Sequence, residues 1–259
     1  MKVDVALIPA AGRGTRMRPA TRVVPKALIT VIDRPAVQYV VEEAARAGAT
    51  EVVVVVDLDA GHLIQQHFLA EGRLPGLEKV KIRMVVQEEP LGLGHAVWEA
   101  AEAIRDRPFF CLLADNIVRP GADVLPALAS ASGGETAVCL QRLNPEFLSR
   151  YGVVVPGSDE VDGVIEVAGA IEKPGIDRAP SRLGLIGRYL FTPEVFEILA
   201  NLTPGHGGEI QLTDAIDQLG KRGRCRGYVA TEDLLDVGTP QGLVEATMIL
   251  GRARFPERS

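Results

Sequence analysis

The residues Glu51 to Val56, EVVVVV, leave this chain few ways to fold. Five consecutive valines are stiff at χ1 and suit a pleated, packed surface better than a helix. A strand with one wet face would alternate them with polar residues, so the unbroken run predicts a strand buried on both faces. Asp57 and Gly61 bound it. Such a strand needs helices above and below its sheet.

The rest of the first half supplies them. Val3 to Pro9, Val80 to Gln87 and Phe109 to Leu113 read as further strands. Arg34 to Ala47 carries Val37, Val40, Val41, Ala44 and Ala45 at helical spacing, with Gly48 as a stop. Gly61 to Phe68 predicts a short helix, and Gly94 to Ile104 another with Val97, Ala101 and Ile104 on one face. Strands and helices in this alternation imply crossover connections and a parallel, doubly wound sheet. Beyond Asp123, Thr136 to Arg142, Gly152 to Val155, Val164 to Val167 and Leu185 to Phe191 predict strands with fewer helices between them. That region is more mixed and partly antiparallel. Helices follow at Pro193 to Leu202, Leu212 to Lys221 (with Thr213 and Asp214 as caps) and Gly242 to Arg254. The fold class is α/β: a Rossmann-like doubly wound, mostly parallel mixed sheet in one domain.

Ligands of such sheets bind outside the carboxyl ends of strands. That selects the loops after Pro9, Val56, Gln87 and Leu113. The first, Ile8 to Lys26, contains Arg13, Arg16, Arg18, Arg22 and Lys26, and no acid occurs between Asp4 and Asp33. In a chain of net charge −6, a segment of +5 beside the first strand suits a polyphosphate. Ala10, Ala11, Gly12 and Gly14 let backbone come close to a base or phosphate and form an anion nest. Neither common glycine motif fits: Met17 stands where a dinucleotide fingerprint needs its third glycine, and no Gly-Lys-Ser/Thr is present. A solvated turn with surface arginines is the plainer alternative.

Gln87 ends a strand, where its carbonyl and amide can both bond a base edge, and Gly92 and Gly94 follow before a helix. Alone, His95 reads as a helix-start side chain and the glycines as turn formers. Asp115 and Asp236 each follow an apolar strand and together suit a Mg²⁺ clamp on phosphate oxygens; either alone is equally a turn former. Glu172 and Lys173 could take a sugar's hydroxyls and its phosphate, or decorate the surface.

Composition narrows the field. Three separated cysteines and four histidines form no CxxC, HExxH or HxxxH pattern, so buried thiols are expected and no zinc site. An acidic balance and one Trp argue against nucleic acid. Apolar runs such as Val52 to Val56 are far too short to span a bilayer, and MKVDVALIPA lacks the form of a signal peptide. Cytoplasm, no membrane and no nucleic-acid partner are the expectations.

The motifs IPAAGRGTRMRPATRVVPK, DRPAVQYVVEEA, EEPLGLGHAV, SRYGVV, IEKP, LIGRYLF and GGEIQLTDAI, in this order from Ile8 to about Gly238, resemble those of sugar-1-phosphate nucleotidylyltransferases, and most the UTP–glucose-1-phosphate uridylyltransferases. The resemblance implies a glycosyltransferase-A-like nucleotidyltransferase fold. Its nucleotide-binding half would span about 1–135, its sugar-phosphate half about 136–240, and a closing helix 241–259. It implies that Ala10, Ala11 and Gly12 meet the base, with Gln87 and Gly92 reading its edge. Gly14, Thr15, Arg16 and Lys26 would hold the triphosphate, leaving Arg13, Arg18 and Arg22 outside. Asp115 and Asp236 would hold Mg²⁺, while Gly152, Glu172, Lys173 and the backbone near Gly187 would bind glucose 1-phosphate. Arg16, Lys26 and Lys173 would be catalytic. UTP and glucose 1-phosphate would give UDP-glucose and pyrophosphate in a homodimer or homotetramer.

Three departures mark this chain. It reads Pro25-Lys26-Ala27-Leu28-Ile29-Thr30 where the family usually reads PKEMLP. Its segment from His67 to Gln87 is short, and Ala114-Asp115-Asn116 resembles the Gly-Asp-Asn of thymidylyltransferases. The alternatives are dTTP, another hexose 1-phosphate, or a non-catalytic nucleotide-sugar-binding regulator.

Overall fold

The valine run forms the strand expected of it. Val52 to Val56 are fully buried, in register between Ala6–Pro9 on one side and Ile82–Val86 on the other. A computed structural model describes residues 2–69, 74–119, 121–231 and 234–255. Its strands are β1 (Val5–Pro9), β2 (Thr30–Val31), β3 (Arg34–Pro35), β4 (Glu51–Val56), β5 (Lys81–Val86), β6 (Phe109–Leu112), β7 (Asn116–Val118), β8 (Thr136–Arg142), β9 (Val153–Pro156), β10 (Val164–Ile171), β11 (Leu183–Phe191), β12 (Cys225–Val229) and β13 (Leu234–Asp236). Its helices are α1 (Ala36–Arg46), α2 (Gly61–Leu69), α3 (Leu93–Glu99), α4 (Ala101–Ile104), α5 (Val124–Ala131), α6 (Gly175–Arg178), α7 (Glu194–Ala200), α8 (Leu212–Lys221) and α9 (Pro240–Arg254).

Nine strands form one sheet in the order β5-β4-β1-β6-β11-β8-β12-β10-β9. β5, β4, β1 and β6 run parallel, as the helix-separated first half requires. From β11 onward antiparallel pairs dominate, with only β8 and β12 parallel. The pleat divides the core. Val5, Leu7, Val53 and Val55 face a cluster closed by α3, α4, α7 and α8. Ala6, Ile8, Val52, Val54 and Val56 face the opposite cluster, closed by α1, α2 and α5.

α1 lies where the spacing put it, with Val37, Val40, Val41 and Ala44 fully buried. α5, β7 and β12 lack a signal in the sequence reading. α5 is eight residues long and contains Pro126, and β12 interleaves Arg226 and Tyr228 with Cys225, Gly227 and Val229. The helix expected from Gly94 to Ile104 is interrupted at Ala100. The two short strands β7 and β13 pair outside the main sheet, with Asn116 opposite Asp236. α9 covers them through Ala246 and Leu250, joining Leu235 and Val237 in a third cluster. Among the described residues no helix is long and apolar enough to cross a membrane.

Candidate active site

The carboxyl ends of β1, β5 and β6 open on one cavity of about 560 Å³. From the first loop it is lined by Ala10, Ala11, Gly12, Gly14, Thr15, Arg16 and Lys26. Gln87 and Gly92 line it from the second, and Asp115 from the third. Every residue assigned to the nucleotide from sequence is thus brought to one place. The loop after Val56 is absent from the lining: Asp57 Oδ1 accepts from the Ala60 N–H at 2.6 Å and starts α2.

The first loop keeps its shape through main-chain bonds. The Ala10 N–H donates to the Val55 carbonyl at 2.7 Å, extending the sheet ladder one residue past β1. The Gly14 carbonyl accepts from the Met17 N–H at 2.9 Å and from the Thr21 hydroxyl at 2.7 Å. Met17 is buried, and a chain of short helical turns carries the loop round to Lys26. One correction concerns the charges: Arg13 lines the cavity beside Arg16, while Arg18 and Arg22 do not.

Lys26 and the two aspartates meet at Gly238. The Lys26 ammonium is ion-paired with Asp115 Oδ2. A methyl group on Gly238 would lie 2.5 Å from Asp115 Oδ2, 2.7 Å from Lys26 Nζ and 2.8 Å from Asp236 Oδ1, so any side chain there would push the three charged groups aside. Backbone sets this approach: the Val237 N–H donates to the Asp115 carbonyl at 2.8 Å, and the Gly238 N–H to Asp236 Oδ1 at 2.8 Å. Burial raises the Asp236 pKa and the Asp115 charge raises it further, against the Gly238 N–H, Arg16 and Lys26. A buried carboxylate with a second one beside it fits a divalent cation. Among the described residues no third His, Cys, Asp or Glu completes the set, as suits an ion that takes its remaining ligands from phosphates and water.

The sugar-phosphate candidates form a neighbouring group outside the cavity's lining. Glu172 Oε2 accepts from the Thr213 hydroxyl at 2.6 Å, and Glu172 Oε1 meets Lys173 Nζ at 2.7 Å. Lys173 has φ 45°, an uncommon conformation for a bulky residue, and its N–H donates to the Tyr151 carbonyl at 3.2 Å. The carbonyl of Gly152 accepts from the Leu185 N–H at 2.9 Å, and that of Gly187 from the Leu113 N–H at 3.0 Å. Tyr151 links the two groups. Burial raises its pKa, then the charge of Asp236 and, more weakly, of Asp115, against Arg16 and Arg150.

Thr213 and Asp214 do not cap α8. Gln211 occupies that position without a side-chain cap, and both residues lie inside the first turn. Thr213 instead serves Glu172, and Asp214 has its pKa raised by burial and by Glu172 and Asp217, against His206.

Two contributors escaped the sequence reading. Arg188 on β11 is fully buried and donates to Glu43 on α1 at 2.7 Å, to the Asn116 carbonyl at 2.6 Å and to the Gly187 carbonyl at 2.9 Å. It fixes the turn carrying Asp115; its signal was one charge inside the apolar stretch LIGRYLF. Glu209 lines the cavity from the segment that closes over Gly92. There φ is 112° and a Cβ would stand 2.7 Å from the Ile210 carbonyl oxygen, so a glycine is required. Cys111, Cys139 and Cys225 are buried and in no disulfide, and burial pushes the Cys225 thiol up to about 12, unfit as a nucleophile.

A strand-end cavity with clustered cations and a carboxylate pair is what transfer of a nucleotidyl group needs. Residues 5–252 match the family model described as nucleotidyl transferase. The chain belongs to the nucleotidyl transferase family. It is 38% identical to "UTP–glucose-1-phosphate uridylyltransferase 2" of Staphylococcus saprophyticus, over 95% of this chain and 91% of that protein. A solved structure of UDP-glucose pyrophosphorylase complexed with UDP-glucose superposes with a TM-score of 0.90 at 32% identity, covering 98% of this chain and all of that one. UTP-bound UGPase from Acinetobacter baumannii gives 0.82 at 30% identity, covering 99% and 95%. The nucleotidyl transferase expectation and the mixed α/β fold are both borne out.

Proposed function

We propose that this nucleotidyl transferase converts UTP and glucose 1-phosphate to UDP-glucose and pyrophosphate. The observation that carries the reading is the convergence of Lys26, Asp115 and Asp236 at Gly238, beside a cavity lined by Arg16 and Gln87. The relatives' names and their UTP and UDP-glucose complexes support this choice of substrates.

A phosphate oxygen of glucose 1-phosphate attacks the α-phosphorus in line, and pyrophosphate departs opposite. The nucleophile is already an anion, so no general base is required. Catalysis rests on bringing two anions together and stabilising charge on the bridging and leaving oxygens. Ala10, Ala11 and Gly12 meet the base by backbone while Gln87 and Gly92 read its edge. Gly14 and Thr15 cradle the triphosphate, and Arg16 and Lys26 receive the leaving pyrophosphate. Lys173 leaves Glu172 to guide the attacking phosphate, with Gly152, Glu172 and Gly187 around the sugar. Asp115 and Asp236 would hold Mg²⁺, which when bound neutralises phosphate charge and orients the reacting groups. Lys26, ion-paired with Asp115 in the free protein, would exchange that carboxylate for a phosphate of UTP.

The functional division we propose is 1–135 for the nucleotide and 136–240 for the sugar phosphate, closed by α9 (Pro240–Arg254); the last four residues of the 241–259 segment expected as a closing helix lie outside the described residues. Exposed Val244 and Met248 on α9 would give a homodimer or homotetramer an apolar face to bury. A cytoplasmic setting agrees with substrates too highly charged to cross a bilayer unaided.

Initial rates of pyrophosphate release with glucose 1-phosphate and each of UTP, dTTP, CTP, GTP and ATP test the reading. UTP is expected to be preferred. A clear preference for another nucleotide refutes it, as does binding of UDP-glucose without any turnover, the behaviour of a regulatory homologue.

A further inference from the structure

Gln87 is buried at the carboxyl end of β5, and its amide is held at one end only. Its Nε2 lies 3.1 Å from the Gly92 carbonyl oxygen and 3.0 Å from His95 Nδ1. The carbonyl can only accept, so the amide nitrogen must be the atom facing it. On the far side of the ring, His95 Nε2 lies 3.2 Å from Glu99 Oε1, one helical turn along α3. A carboxylate also only accepts, so the ring carries its proton on Nε2 and offers the Nδ1 lone pair to Gln87. Trp98, with its ring centroid 5.9 Å from that of His95, packs beside it. Both amide N–H bonds of Gln87 are thus used inside the protein. Its Oε1 is the atom left for the cavity.

We infer that Glu99 and His95 are positioning residues that set base choice by locking the Gln87 amide. The inference rests on the proposed use of a uridine nucleotide. An oxygen that only accepts matches an imide N3–H, as in uracil. Cytosine presents a lone pair at N3, and the two acceptors would face each other with neither satisfied. Without His95 only the Gly92 carbonyl opposes turning the amide over to offer its NH₂ to cytosine. The chain from Glu99 through His95 to Gln87 converts one surface carboxylate into a fixed hydrogen-bond polarity at the base.

The test measures kcat/KM for UTP, dTTP and CTP, together with Tm, in the wild type, His95→Leu and His95→Asn. Leucine removes the acceptor, and asparagine returns an oxygen near the position of Nδ1. The UTP-to-CTP ratio is expected to fall about tenfold in His95→Leu, the loss of one hydrogen bond's discrimination, and largely to recover in His95→Asn. A histidine that only packs would change both nucleotides equally and leave the ratio fixed. Should His95→Leu fail to fold, the half-exposed Glu99→Leu carries the same expectation. A ratio within twofold of wild type in the folded variants overturns the lock and leaves the UTP reading standing. A wild-type preference for dTTP overturns the UTP reading and leaves the lock standing, since thymine carries the same imide. A preference for CTP overturns both.

Discussion

The nucleotide cavity and the sugar-phosphate group are built on opposite principles. Around the cavity, backbone and buried partners fix the shape: ladder bonds at Ala10, the Thr21 bond to Gly14, and Gln87 held by Gly92 and His95. In the other group side chains hold one another, with Lys173 on Glu172 and Thr213 on the same carboxylate. The base-reading part of the first is preformed, with an ion pair only where Lys26 meets Asp115, whereas in the second the candidate side chains are engaged with one another. On the proposed assignment, nucleotide recognition is set by the parallel half of the sheet, and sugar-phosphate capture by rearrangement on the mixed half.

The sharpest way to break this contrast is to remove what joins the halves. Arg188 ties α1, the Asp115 turn and Gly187 together from inside the protein. Arg188→Met should cost about 3–5 kcal/mol, because Glu43 is left buried without a partner. Calorimetry should then show a Tm lower by roughly 10 °C. Adding Glu43→Leu should restore most of the stability and not the rate, since the Asn116 and Gly187 carbonyls stay untied. Recovery of both would make the pair a stability device alone.

A smaller effect is expected at Lys173. Lys173→Ala should raise KM for glucose 1-phosphate about 10- to 100-fold, the weight of one charge-assisted bond, and leave KM for UTP within about twofold. Equal changes in both constants would contradict the separation of the two groups.

The smallest effect tests the carboxylate pair by stability. Folding raises the Asp236 pKa, so the folded side chain holds its proton more tightly than the unfolded one. The wild type therefore loses stability as pH climbs from the ordinary carboxylate range through that raised value. Asp236→Asn keeps an acceptor for Gly238 and cannot ionise. In metal-free buffer its Tm should match or exceed wild type at pH 7, with the gap closing in acid while activity falls. A variant less stable at pH 7 would contradict the like-charge reading.

The parallel half was legible because its information is local. Five valines dictate a two-faced strand, and the rule of strand carboxyl ends then gathers Ala10, Gln87 and Asp115 without knowledge of tertiary contacts. Asp236 is 121 residues from Asp115, and only the pairing of β7 with β13 brings them together. Three-residue strands carry no periodicity from which that pairing could be read. Thr213 had a plausible local role as a cap, and tertiary context overrode it with a bond to Glu172. Arg188 showed a charge within an apolar run and gave no hint of its partners Glu43, Leu113, Asn116 and Gly187. Local pattern yields elements and their ends; side chains satisfied across elements need the fold.

Catalysis in this proposal turns on the cations of the first loop meeting departing pyrophosphate. Single-turnover pyrophosphate release from UTP and glucose 1-phosphate, in wild type, Lys26→Ala and Arg16→Ala, tests this most directly. Each substitution should slow release by roughly 10²–10³-fold, as for the loss of other electrostatic stabilisers. Near-normal release in both variants would contradict it.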